Sequence, residues 1–107
     1  MEFSIEVDKS DGQLLKDQME ETPPEGLEIT FKHRIVKKGL GFPDTLVFTA
    51  TVAATPMGTI ALNVIAQWLY EKLKNGRAQK VTIERTVLEE IDKDKIRRVI
   101  YEKIRKG

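Results

Sequence analysis

Apolar and polar positions alternate at the start of the chain: Phe3, Ile5 and Val7 are set between Glu2, Ser4, Glu6 and Asp8. A period of two is the mark of a strand with one buried face. Asp8 to Gly12 reads as a turn, with Ser10 or Asp11 placed to cap a short helix. Leu14, Leu15, Gln18 and Met19 are its inward side and it ends near Glu21, an ordered loop anchored by Leu15 being the alternative. Thr22-Pro23-Pro24-Glu25-Gly26 stops any regular element. The period of two then resumes from Leu27 to Val36. Leu27, Ile29, Phe31 and Ile35 take one side, Glu28, Thr30, Lys32 and Arg34 the other, and His33 falls on the apolar phase. Residues 37–44, KKGLGFPD, suit a hairpin with a loop longer than the tightest turns.

From Thr45 to Tyr70 there is no charged residue, although 33% of the chain is charged. A membrane span needs about 20 predominantly apolar residues, but this run holds five threonines, Pro56, Gly58, Asn63 and Gln67. It also changes period. Residues 46–52 alternate like a strand, while Ile60, Val64, Ile65, Trp68, Leu69 and Leu73 follow helical spacing. Thr55 and Pro56 are a helix start, so the run reads as a buried strand followed by an apolar helix over residues 57–74. With Ala61, Leu62 and Ala66 added, that helix is apolar over more than half its circumference. Either it is the central helix of the core, or its outer side meets a partner.

Asn75-Gly76 is a helix stop, with glycine suited to the left-handed position. Gln79 to Leu88 reads as a third long extended stretch, with Val81, Ile83 and Val87 in phase and Arg85 interrupting it, at a sheet edge or a bend. Asp92 caps a last helix, stapled by Ile91, whose apolar face is Ile96, Val99, Ile100 and Ile104. The order β-α-β-β-α-β-α predicts a two-layer α+β sandwich, with a ferredoxin-like core and an added C-terminal helix. The length of 107 residues predicts one domain, 1–107.

Net charge is only +1, yet the two ends differ. Residues 1–26 carry eight acidic and two basic groups, and residues 72–107 carry twelve basic and six acidic. There is no cysteine, and Met1 opens a polar segment with no signal peptide, so the expected setting is cytoplasmic. Abundant lysine, glutamate and isoleucine is compatible with a thermophilic source.

No constellation identifies a reaction. His33 is the only histidine, and its place predicts a partly buried or edge side chain rather than a ligand or base. Asp8, Asp11, Asp17, Glu20 and Glu21 miss the spacing of a calcium loop, and KKGLGFPD lacks the glycine spacing and Lys-Ser/Thr ending of a phosphate loop. The expectation is no catalytic, cofactor-binding or metal-binding residue, and no small-molecule ligand. Two surfaces remain. Trp68, Tyr70, Ile65 and Leu69 are candidates for an interface in self-association or with another protein. Arg97, Arg98, Arg105 and Lys106 are candidates for phosphate contacts in a nucleic-acid-binding accessory protein, although Asp92, Asp94 and Glu102 interleave with them.

An extended strand, a short LLKDQMEE helix, two strands, a small-residue helix ending in AQWLYEKLK, then VTIERTV and a terminal helix resemble the effector-associated constant component family. Where that family enters the helix through glycines, this chain has TPMG at residues 55–58. The resemblance implies a small prokaryotic module that recruits or couples effectors, with no catalytic residue. Together these readings predict a non-enzymatic interaction or assembly protein, homo-oligomeric through the 57–74 helix or a strand edge.

Overall fold

The computed structural model describes residues 2–9, 12–36, 43–52 and 59–106. In chain order the elements are β1 (Glu2–Lys9), α1 (Gly12–Met19), β2 (Leu27–Ile35), β3 (Asp44–Val52), α2 (Thr59–Asn75), β4 (Lys80–Ile83), β5 (Thr86–Leu88) and α3 (Lys93–Lys106). The strands form one sheet in the order β2-β3-β1-β4-β5, with every neighbouring pair antiparallel. This is the two-layer α+β domain with a ferredoxin-like core and an added C-terminal helix. The Thr55-Pro56 helix start, most of the KKGLGFPD loop and the Ser10 and Asp11 caps lie outside the described residues.

Register shows why the alternation works. Phe3 faces Ala50, Ile5 faces Phe48 and Ile83, and Val7 faces Leu46 and Val81. Leu27 pairs with Val52 and Leu88 with Val81, so all five strands send apolar residues to one side. These are buried there and Ile29 and Phe31 of β2 are partly buried, while Val87 of β5 is 48% exposed on the other side. α2 lies between α1 and α3 over that side. Leu62, Ile65, Leu69 and Leu73 of α2 are buried. At about 1.5–3 kcal/mol for each buried side chain, they outweigh propensity differences of at most about 0.7 kcal/mol per ordinary residue. Packing therefore fixes α2, although valine, isoleucine and threonine in it are indifferent helix formers.

The segment after β1 is a helix, α1, rather than a loop. Eight residues are too few to be helical alone in water, and its stability comes from the buried Leu15 and Met19. Lys16 lies 4.9 Å from the Phe31 ring centroid, and Glu21, just past the helix, pairs with Lys72 of α2. At the other end, Asp92 caps α3 by accepting a 2.8 Å hydrogen bond from the Asp94 N–H, with Ile91 buried before it.

Three local features depart from the alternation. β2 has a bulge between Phe31 and His33, where Lys32 is the extra residue. One inserted residue reverses which side the rest of the strand faces. His33 and Ile35 are therefore opposite Val47 and Thr45 on the side of the sheet away from the helices; His33 is exposed and Ile35 is 42% exposed. Of the two places expected for His33, partly buried or at an edge, it takes the second, exposed on the edge strand β2, and Arg34 turns to Asp44, 3.9 Å away.

Second, 79–88 is not one strand. Ile83 pairs with Thr86, so Glu84 and Arg85 form a two-residue hairpin turn. Glu84 has φ 55°, in a turn where glycine or asparagine is the usual residue.

Third, Gly76 does not take the left-handed position after α2; Arg77 does, with φ 57°. Ala78 N–H donates to Leu73 C=O and Arg77 N–H to Lys74 C=O, both at 3.0 Å, the pair of bonds of a Schellman ending. A non-glycine residue there costs about 1–2 kcal/mol, partly offset by the extra chain entropy a glycine would lose on folding. Arg77→Gly is expected to stabilise the protein by about 0.5 kcal/mol in urea denaturation. A loss of stability would contradict the strained ending.

Candidate functional site

Once its core positions are set, α2 has a second apolar strip. Ala61 is exposed, Val64 is 47% exposed and Trp68 is half-buried, at spacings of three and four that place them on one side. Pro24, from the segment between α1 and β2, walls one side of a shallow groove of about 510 Å³ over Val64 and Trp68. Its polar rim is Asn63, Gln67, Glu71 and Lys93. Gln67 donates to Glu71 at 2.7 Å, and Lys72 lies 6.0 Å from the Trp68 ring centroid, holding that ring against the helix.

Of the residues the sequence singled out for an interface, two belong to the core. Ile65 is 1% exposed and Leu69 is 0% exposed, both packed under the helix against the sheet. In one chain they offer no surface. Tyr70 is half-buried against the core with Lys74 5.9 Å from its ring centroid, beside the last turn of the helix. Only Trp68 is part of the groove.

The basic candidates also separate. Arg97 donates from Nε to Asn63 Oδ1 at 2.6 Å and so joins α3 to α2. Arg98 and Arg105 are exposed, with the 49% exposed Tyr101 on the same outer side, and Lys106 ends the helix without a described side chain. On the side of the sheet away from the helices, the central strands β1 and β3 offer little to a nucleic acid. Glu2, Ser4, Glu6 and Asp8 of β1 lie there beside Thr45, Val47, Thr49 and Thr51 of β3, a set with three carboxylates and no aromatic ring. RNA-reading sheets expose rings on their central strands, whereas Phe3 and Phe48 are buried on the helical side.

A second concavity lies between the β4–β5 turn and α3, with a volume of about 540 Å³. Glu84 holds the turn in place. Its N–H donates to Ser4 C=O at 2.9 Å, and its carboxylate accepts from Ser4 N–H at 3.2 Å. Because β4 ends at Ile83, Ser4 N–H has no further strand residue to bond, and the Glu84 side chain supplies the acceptor. The same carboxylate lies 3.7 Å from Lys103 Nζ on α3. Arg85 and Thr86 from the turn, with Arg98 and Glu102 from α3, line the rest. Reading by period misses this cleft, because Glu-Arg is not a turn dipeptide; the one signal for it is the break in alternation at Arg85.

Among the described residues, no cluster of three or more His, Asp or Glu side chains is placed to hold a metal ion, and no helix is long and apolar enough to cross a membrane. No family model matches the chain, and no curated protein or solved structure matches it either.

Proposed function

We propose that this chain is a non-enzymatic protein-interaction module that pairs with a second copy of itself across the Val64–Trp68 strip of α2. The observation that carries this reading is the exposed apolar strip itself, left over after Leu62, Ile65, Leu69 and Leu73 are buried in the core. Ala61 at one end permits close approach of two helices, and an aromatic anchor such as Trp68 is typical of the centre of an interface. The rim suits a two-fold contact, in which one patch must complement itself. Glu71 and Lys93 line the same groove without pairing with each other, so each can meet its opposite on the second copy.

Strand edges support pairing less well. β5 has only three residues, and β2 is bulged at Lys32 and carries Arg34 beyond it. Short, bulged and charged edges are the devices that discourage strand addition. The resemblance to effector-recruiting modules implies the same class of role.

A strip this small predicts a weak dimer, with dissociation on the order of micromolar, about −8 kcal/mol. Sedimentation at tens of micromolar is expected to give twice the 12.2 kDa chain mass. Val64→Glu is expected to return it to one chain with an unchanged circular dichroism spectrum, since Val64 is outside the core. A wild-type protein that stays monomeric at that concentration would sink the self-association reading.

A further inference from the structure

We infer that the cleft between the β4–β5 turn and α3 binds the phosphate of a small phosphate ester, held by the guanidinium groups of Arg85 and Arg98. Charge is the first support. Three cations (Arg85, Arg98 and Lys103) and two carboxylates (Glu84 and Glu102) line the cleft. Lys103 and Glu84 pair with each other at 3.7 Å, which leaves both arginines against Glu102 alone. Neither arginine pairs with a carboxylate among the described residues. Arg98 and Glu102 are four residues apart on α3, the spacing at which opposite charges ordinarily meet, and yet they do not form an ion pair. Two arginines lining one cleft offer guanidinium donors of the kind that a tetrahedral oxyanion satisfies with paired hydrogen bonds.

The second support is how the turn is held. Glu84 occupies a left-handed backbone conformation in which glycine would be relaxed. Its carboxylate does what a glycine could not, joining Ser4 of β1 to Lys103 of α3 through one oxygen. The strained turn is thereby fixed against the helix, and Arg85 and Thr86 follow directly into the cleft. Strain retained under such bonds is a mark of sites in which side chains are held in place for a ligand.

The shape and the second carboxylate favour a small ester over a polynucleotide. About 540 Å³ falls in the range of small-molecule sites. Glu102 stands in the lining as an acceptor, which repels a continuous polyanion but receives the hydroxyl of a sugar attached to one phosphate. Thr86 adds a hydroxyl that serves as donor or acceptor. This site is separate from the α2 groove, so binding here and pairing there stand or fall independently.

Calorimetric titration of the full chain with inorganic phosphate, adenosine monophosphate and single-stranded oligodeoxynucleotides of increasing length tests the inference. Phosphate and the mononucleotide are expected to bind between micromolar and millimolar, the mononucleotide more tightly. Arg85→Gln and Arg98→Gln are each expected to weaken both about tenfold, or about 1.4 kcal/mol. Arg77→Gln, which removes one positive charge elsewhere on the surface, is expected to change neither. Glu102→Gln is expected to narrow the advantage of the mononucleotide and to leave phosphate no weaker. All four side chains are solvent-exposed, and an unchanged melting temperature confirms that each variant is folded. No binding of phosphate or mononucleotide at millimolar concentration would overturn the inference, as would equal weakening by Arg77→Gln. Affinity that rises with oligonucleotide length and falls with Arg105→Gln would overturn it in favour of a nucleic-acid surface on α3.

Discussion

Phe48→Ala is expected to destabilise the protein by about 3–5 kcal/mol, a large share of the roughly 5–15 kcal/mol that holds a small domain folded. Phe48 is 1% exposed on β3, which has a partner strand on each side. Its neighbours across the sheet are Ile5 on β1 and Phe31 on β2. The two phenyl rings meet edge to face, with centroids 5.6 Å apart at 65°, a geometry worth about 0.5–1.5 kcal/mol beyond the area buried. The cavity left by alanine would lie between strands that backbone hydrogen bonds hold in place, so it cannot readily collapse. Phe48→Leu separates the contributions. It keeps most of the volume and loses the ring pair, and a cost of about 1–2 kcal/mol is expected. Phe31→Ala, at the half-buried end of the pair, is expected to cost less than Phe48→Ala. Urea denaturation of the three variants measures all of these values. A Phe48→Ala loss below that of Phe31→Ala would mean that the core is not centred on β3.

The core was legible because both faces of β1 and β3 are simple. Phe3, Ile5 and Val7 meet Leu46, Phe48 and Ala50 in unbroken register, so alternation along the chain is also burial in the fold. α3 was legible for a similar reason: its cap, staple and apolar stripe are all local. What alternation could not reveal depends on partners distant in sequence. The bulge at Lys32 leaves the pattern of apolar residues intact while reversing the direction of Ile35, so no count of positions discloses it. The turn at Glu84 is held by Ser4, eighty residues away. Glutamate in a glycine-favoured place makes sense only once that bond is known.

The candidate sites divide along the same line. An apolar helix with Trp68 near its end was evident from spacing, but which apolar residues stay at the surface depends on where α1 and α3 settle. Ile65 and Leu69 face the sheet, and Val64, which differs from Ile65 by one place and one methylene, does not. Arg98 was evident as part of a basic helix. Its association with Arg85 needed the hairpin, whereas the sequence showed only an extended stretch interrupted at Arg85, by a sheet edge or a bend.

The same dependence on distant partners makes Gly76 the second large effect. A β-carbon there would lie 2.7 Å from Leu15 Cδ1, 3.0 Å from Leu15 Cα and 3.1 Å from Lys72 C=O. The first of these is a side-chain end that can rotate, but the other two are backbone, so α1 itself would have to move. Helix propensity alone would make alanine in place of glycine favourable by up to about 1 kcal/mol. The sign of the result therefore decides which effect wins. Overpacking of a tight site costs about 1–3 kcal/mol, and Gly76→Ala is expected to lose about 2 kcal/mol net in urea denaturation. Because Leu15 is itself fully buried, Leu15→Ala alone is expected to cost about 2–5 kcal/mol. Combined with Gly76→Ala it should cost less than the two losses added, since removing Cδ1 relieves the closest approach while crowding against the α1 backbone persists. Full additivity, or a Gly76→Ala variant as stable as the parent, would mean that α1 does not seat against the end of α2. In that case the glycine would be only a helix stop, as its place after Asn75 first suggests.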